Sequence, residues 1–198
     1  VILCGGVGSR LGKITKFTPK SLIKINKKPF LDILIKNFSR FGFKKVLLLC
    51  SYKSEIFFRR YHKKNLFGLF VECHNDKKLL GSAGSILSAK KKLDNIFLLC
   101  NGDTYFDINF LDLYQSFNEI KNIGTIAIRK IYTYDQNRYQ HFIIKKNKIK
   151  TISSVNKKNI FVNTGICIFK KEIIKYINKS NFSLEDEILQ QLIDKKKI

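Results

Sequence analysis

The chain has 198 residues, with 38 lysines and arginines against 15 acidic side chains, so its formal net charge is +23. That length holds one domain with a full core, and no repeat and no proline-, serine- or glycine-rich linker divides it. The longest apolar runs, such as residues 46–50, are too short to cross a bilayer, and the excess lysine is scattered without an aromatic-and-basic stripe, which excludes a membrane span and a dedicated nucleic-acid surface. A solvated basic face is expected instead. The five cysteines (Cys4, Cys50, Cys73, Cys100, Cys167) each sit in an apolar stretch with no metal-ligand spacing, as reduced core thiols of a cytoplasmic protein would. No signal peptide is visible. The chain has no methionine and opens in mid-strand, so it is expected to be a single domain, residues 1–198, cut from a longer gene product at its start and also at its end.

The first apolar run, Val1-Ile2-Leu3-Cys4, breaks into Gly5-Gly6-Val7-Gly8-Ser9-Arg10-Leu11. A buried strand feeding a glycine turn directs successive backbone N–H groups at one point, a seat for phosphate. Arg10 and Lys20 add a guanidinium fork and a point charge. A Walker loop fails here, because Gly12-Lys13 is followed by Ile14 and its first glycine would fall on Val7. A dinucleotide fingerprint fails too, since its third glycine would fall on Leu11 and Asp32 belongs to a helical pattern.

Further along, strands are predicted at 1–4, 45–51, 69–73, 95–100, 124–129, 141–145 and 161–169, and helices at 29–41, 55–64, 82–92, 108–117, 171–178 and 184–196. The alternation predicts an α/β fold, a largely parallel sheet covered on both faces, with an antiparallel portion added after about residue 120. Ligands of such sheets bind beyond the carboxyl ends of the strands, where Gly5, Arg10, Asn101, Asp103, Asn163 and Gly165 would gather. Asp103 follows the apolar strand and Asn101-Gly102 directly. By its residues alone it either holds a magnesium ion or caps the turn that leads to Asp107. Ser82 reads as a helix cap, and Asn163-Thr164-Gly165 as a strand with a glycine bulge.

Three stretches together resemble the opening signature of the sugar-phosphate nucleotidyltransferases: the glycine loop with Arg10, then Thr18-Pro19-Lys20-Ser21-Leu22, then Lys28-Pro29-Phe30-Leu31. Leu80-Gly81-Ser82-Ala83-Gly84, Asn101-Gly102-Asp103, Asn163-Thr164-Gly165 and Phe182-Ser183-Leu184-Glu185 are similar to that family's later segments, nearest to its heptose 1-phosphate guanylyltransferases. The resemblance implies a Rossmann-like three-layer α/β/α fold with a mixed, mostly parallel sheet. It implies a nucleoside triphosphate and a sugar 1-phosphate as partners, with Mg²⁺ as cofactor and Asp103 as its ligand. Arg10, Lys20 and Asp103 would be catalytic. Leu3, Gly5, Gly6, Gly8, Ser9, Arg10, Lys20, Asp76, Gly81 and Ser82 would bind the nucleotide. Gly84, Asn101, Gly102, Asn163, Thr164 and Gly165 would meet the sugar phosphate. A homo-oligomer is compatible with this reading.

Two departures stand out. The family's Glu-Lys pair is missing from residues 152–157, where Lys157 or Lys158 would have to stand in, and its second metal-binding aspartate does not occur before Ile198. The second is expected to lie beyond the chain's end. The alternatives are an inactive relative that binds a nucleotide sugar, or an enzyme for another pair such as dTTP with glucose 1-phosphate, CTP, or mannose 1-phosphate.

Overall fold

The apolar runs of the parallel strands have no polar alternation, and the fold shows why. On β4 (Lys45–Cys50), Val46, Leu48 and Cys50 enter one core cluster while Leu47 and Leu49 enter another on the opposite face. A strand buried on both sides has no polar face to show. The computed structural model describes residues 1–117, 120–131, 141–145, 148–153, 160–178 and 183–198.

β1 (Ile2–Leu3) lies at the centre of a nine-stranded sheet, parallel to β4 on one side and to β7 (Ile96–Asn101) on the other. β4 pairs in parallel with β6 (Leu69–Asn75), and β5 (Lys64–Leu66) closes that edge antiparallel. Beyond β7 runs β11 (Ile160–Lys170), antiparallel, with Ile166 opposite Cys100 and Lys170 opposite Ile96. β8 (Gly124–Ile131) follows the other edge of β11, while β9 (His141–Lys145) meets Phe161 and Val162 and carries β10 (Lys148–Ser153) outside it. Six strands (β1, β4, β6, β7, β8, β9) therefore point the same way in a mixed sheet.

Three helices cover one face: α1 (Phe30–Ser39), α2 (Ser54–Tyr61) and α4 (Phe110–Gln115), burying Leu31, Leu34, Ile35, Phe38, Phe57, Tyr61 and Phe110. α3 (Gly81–Ser88) and α5 (Leu189–Asp194) cover the other with Ala83, Ile86, Leu189, Leu192 and Ile193. The result is the three-layer α/β/α arrangement.

The element boundaries differ from the sequence reading in places. The second helix stops at Tyr61, because His62 is extended and Lys63 has φ +55°, and Lys64 already belongs to β5. α3 ends at Ser88 and α4 spans only Phe110–Gln115. Lys171–Tyr176 is 3-10, and the last helix opens as a π turn, Leu184–Ile188, before α5. A small hairpin of β2 (Lys24–Ile25) and β3 (Lys28–Pro29) turns through Asn26 and Lys27, both at positive φ. Most of the stretch that replaces the Glu-Lys pair, together with Lys157, Lys158 and Phe182, lies outside the described residues.

Candidate active site

Two adjacent parallel strands whose following connections leave in opposite directions open a crevice at their carboxyl ends. Here those strands are β1 and β7. The crevice is a cleft of about 550 Å³, lined by residues 3–11, Lys20, Ser21, Ser51, residues 79–82, Ser85 and residues 101–103.

The glycine loop leaves β1 with its carbonyl at Gly5 accepting from the Ser51 hydroxyl at 2.9 Å. It then turns at Gly8, φ +69°, where a Cβ would also come within 2.9 Å of the Thr15 methyl. Residues Ser9–Ile14 form two short 3-10 turns broken at Gly12, with no buried member, so Arg10 stands in solvent at the cleft's lip. Lys20 begins the next short turn after Pro19.

From the far wall, β7 delivers Asn101-Gly102-Asp103. Asp103 Oδ2 lies 2.5 Å from Lys20 Nζ, and both side chains remain more than a third exposed, at 36% and 39%. Asp103 does not cap a helix; Asn109 does so for α4, its side chain accepting from the Leu111 N–H at 3.0 Å. The structure thus brings Leu3, Gly5, Gly6, Gly8, Ser9, Arg10, Lys20, Gly81, Ser82, Asn101, Gly102 and Asp103 into one cleft. No thiol chemistry is on offer beside them, because burial pushes Cys4 well up and Cys100 up to about 12.

The other expected residues stand behind the wall. Asp76 does not line the cleft: its carboxylate is buried and accepts the Ser85 and Ser88 hydroxyls at 2.5 and 2.6 Å, so it braces α3. Ser82 is no helix cap. It donates to Glu185 Oε2 at 3.1 Å and accepts the Leu184 N–H at 2.7 Å, fastening the cleft's lip to residues 183–185. Gly84 is buried within α3. Asn163 Oδ1 accepts the Gly165 N–H, the Thr164 hydroxyl donates to the Ala127 carbonyl, and Gly165 packs on Asn101, so that turn supports the β7 end from outside. Ser51, Leu79 and Ser85 line the cleft although no sequence motif marked them. Ser51 follows β4 directly, and the strand-end rule alone would have found it.

Among the described residues, no group of three histidine, cysteine, aspartate or glutamate side chains converges on a metal position. Asp103 offers one carboxylate at a phosphate-sized cleft. That donor set fits Mg²⁺, which takes one or two carboxylates, substrate phosphates and water.

Residues 1–197 match the family model described as nucleotidyl transferase. The chain belongs to the nucleotidyl transferase family. It is 33% identical over 192 residues to the D-glycero-alpha-D-manno-heptose 1-phosphate guanylyltransferase of Campylobacter jejuni, covering 96% of this chain and 84% of that one. To the mannose-1-phosphate guanylyltransferase catalytic subunit beta of Danio rerio it is 29% identical, covering 95% of this chain and 54% of the relative. The crystal structure of HddC from Yersinia pseudotuberculosis superposes with a TM-score of 0.79 at 27% identity, covering 93% of this chain and 82% of that one. The same protein complexed with GMP-PN gives 0.78. As a sugar-1-phosphate nucleotidyltransferase, the chain places its glycine loop, Lys20 and Asp103 around a single cleft. Among the described residues, no helix is long and apolar enough to cross a membrane.

Proposed function

We propose that this chain transfers the guanylyl group of GTP to a heptose 1-phosphate, releasing pyrophosphate. The observation that carries this reading is the meeting of Lys20 and Asp103 at the rim of a glycine-lined cleft, beyond the ends of β1 and β7. Likeness to the Campylobacter enzyme and to the Yersinia structure with GMP-PN supports the choice of base and sugar.

In this reading the triphosphate lies over the turn of Gly6, Gly8 and Ser9, whose backbone N–H groups face the phosphates. Leu3 and Gly5 flank the base, with Gly81 and Ser82 across the cleft. Arg10 forks onto the β- and γ-phosphates, which become the leaving group. Lys20 stands at the α-phosphate, where charge builds as the bond changes. Asp103 would hold Mg²⁺, which when bound would supply neutralisation of the phosphate oxygens. An oxygen of the sugar 1-phosphate forms the new bond to the α-phosphorus, and the bond to the β-phosphate oxygen breaks with its electron pair leaving on pyrophosphate. The attacking oxygen is already an anion, so no general base is required, and positioning plus charge stabilisation carries the rate. Asn101 and Gly102 face the sugar phosphate, steadied by Gly165, Asn163 and Thr164, while Asp76 and Gly84 set α3. We read residues 1–198 as one such domain, making a nucleotide sugar for surface glycan in the cytoplasm, where five free cysteines stay reduced.

Pyrophosphate release with Mg²⁺, measured for each common nucleoside triphosphate against heptose, mannose and glucose 1-phosphates, tests this. Release confined to GTP with heptose 1-phosphate is expected. No release with any pair, while GTP still raises the melting temperature, would leave only the inactive binding relative.

A further inference from the structure

The phosphate loop has little packing of its own. None of Ser9–Ile14 is buried, Gly8 and Gly12 both have positive φ, and Ile14 and Phe17 are 59% and 72% exposed. Yet three consecutive residues between β4 and α2 each catch it at a different point. The Ser51 hydroxyl donates to the Gly5 carbonyl at 2.9 Å, where the loop begins. The Tyr52 hydroxyl donates to the Thr15 carbonyl at 3.1 Å and lies 3.4 Å from that of Lys16, where it ends. Lys53, held at φ +51°, sets its ammonium 5.7 Å from the Phe17 ring centre and 5.6 Å from that of Tyr52.

Thr15 relays that hold inward. It is buried, and its hydroxyl stands 3.1 Å from the Gly8 carbonyl and 3.2 Å from that of Gly12, spanning the turn that lines the cleft. A loop held at its two ends and through one buried threonine samples other shapes more often when an end is released. Affinity then falls by the fraction of time the competent shape is lost, while the chemistry of the bound state is unchanged.

We propose that Tyr52 is a positioning residue for triphosphate binding: through Thr15 it holds the glycine loop in its phosphate-binding shape. This rests on the reading of the cleft as a triphosphate site. It assigns Tyr52 no contact with substrate.

Tyr52→Phe removes one oxygen and keeps the ring. One lost hydrogen bond, about 1 kcal/mol, sets about fivefold as the ceiling for the rise in the Kd for GTP. KM for GTP should rise by the same factor with kcat within about twofold, the melting temperature should fall by no more than about 4 °C, and the amides of residues 8–15 should exchange faster with deuterium. An unchanged Kd with unchanged exchange overturns the proposal, and so does a Kd that rises only together with a fall in melting temperature well beyond that of one hydrogen bond. If the wild-type chain takes up no triphosphate, the functional reading has failed, and exchange alone then decides: faster exchange in Tyr52→Phe supports the strap, equal exchange overturns it.

Discussion

Lys20 and Asp103 stand 83 positions apart in the chain and within hydrogen-bond distance in the cleft. With both more than a third exposed, the pair contributes at most about 1 kcal/mol to stability. Replacing Asp103 by alanine should cut turnover by at least about a hundredfold and leave the thermal transition nearly in place; wild-type turnover would remove Asp103 from the mechanism. At this scale the sequence was legible where the chemistry is local. The glycine loop, Pro19-Lys20 and Asn101-Gly102-Asp103 are each short and contiguous. Asp76 stands behind the cleft because its role depends on where α3 points Ser85 and Ser88, and Ser82 lines the cleft without capping α3 because its partners come from residues 184 and 185.

Among elements, the junction of β1 and β7 is tightly packed. A Cβ on Gly102 would meet the Leu3 carbonyl oxygen at 2.6 Å and the Cys4 sulfur at 3.0 Å. Neither backbone nor buried thiol can swing aside, so Gly102→Ala should force the strand ends apart. The expected cost is roughly 1–3 kcal/mol in chemical denaturation, with triphosphate affinity lost as well; full stability and full binding would show that the two strand ends can part freely. The parallel strands were readable as elements because burial on both faces leaves continuous apolar runs. β5 was not, since Lys64-Asn65-Leu66 is a short polar edge strand that owes its shape to pairing with β6. The β2–β3 hairpin lacked a marking glycine, and Asn26-Lys27 adopts the turn regardless.

For the molecule as a whole, the strand order could not be read in advance, because which strand neighbours which is decided by long-range packing. The order nonetheless explains the site, since it places β1 between β4 and β7. The sheet also carries a pH dependence. Burial lowers the pKa of His74 on β6 below its ordinary 6.5, outweighing the attraction of Asp76 at 3.6 Å, whose oxygens already accept two serine hydroxyls; Lys92 adds repulsion and Glu72 a weaker pull. A depressed pKa means that folding favours the neutral ring. His74 therefore imposes no penalty above pH 6.5, and stability falls as pH drops below that value. His74→Gln should flatten the fall in melting temperature between pH 7 and 5, roughly the span of an ordinary histidine titration; identical slopes would discount the ring. Glu72 follows with the same sign at lower pH: Lys92, then Lys45, holds its carboxyl below the ordinary 4.5, so its contribution is present above 4.5 and lost on acidification through the folded value.

Nucleotidyl transfer breaks the triphosphate between its α- and β-phosphates. GTP labelled at its α-phosphate, incubated with this chain, heptose 1-phosphate and Mg²⁺, should pass its label into a GDP-sugar, with unlabelled pyrophosphate as the other product. Recovery of the label in intact GTP, or in GDP with release of orthophosphate, would show that this chain is not a guanylyltransferase for heptose 1-phosphate.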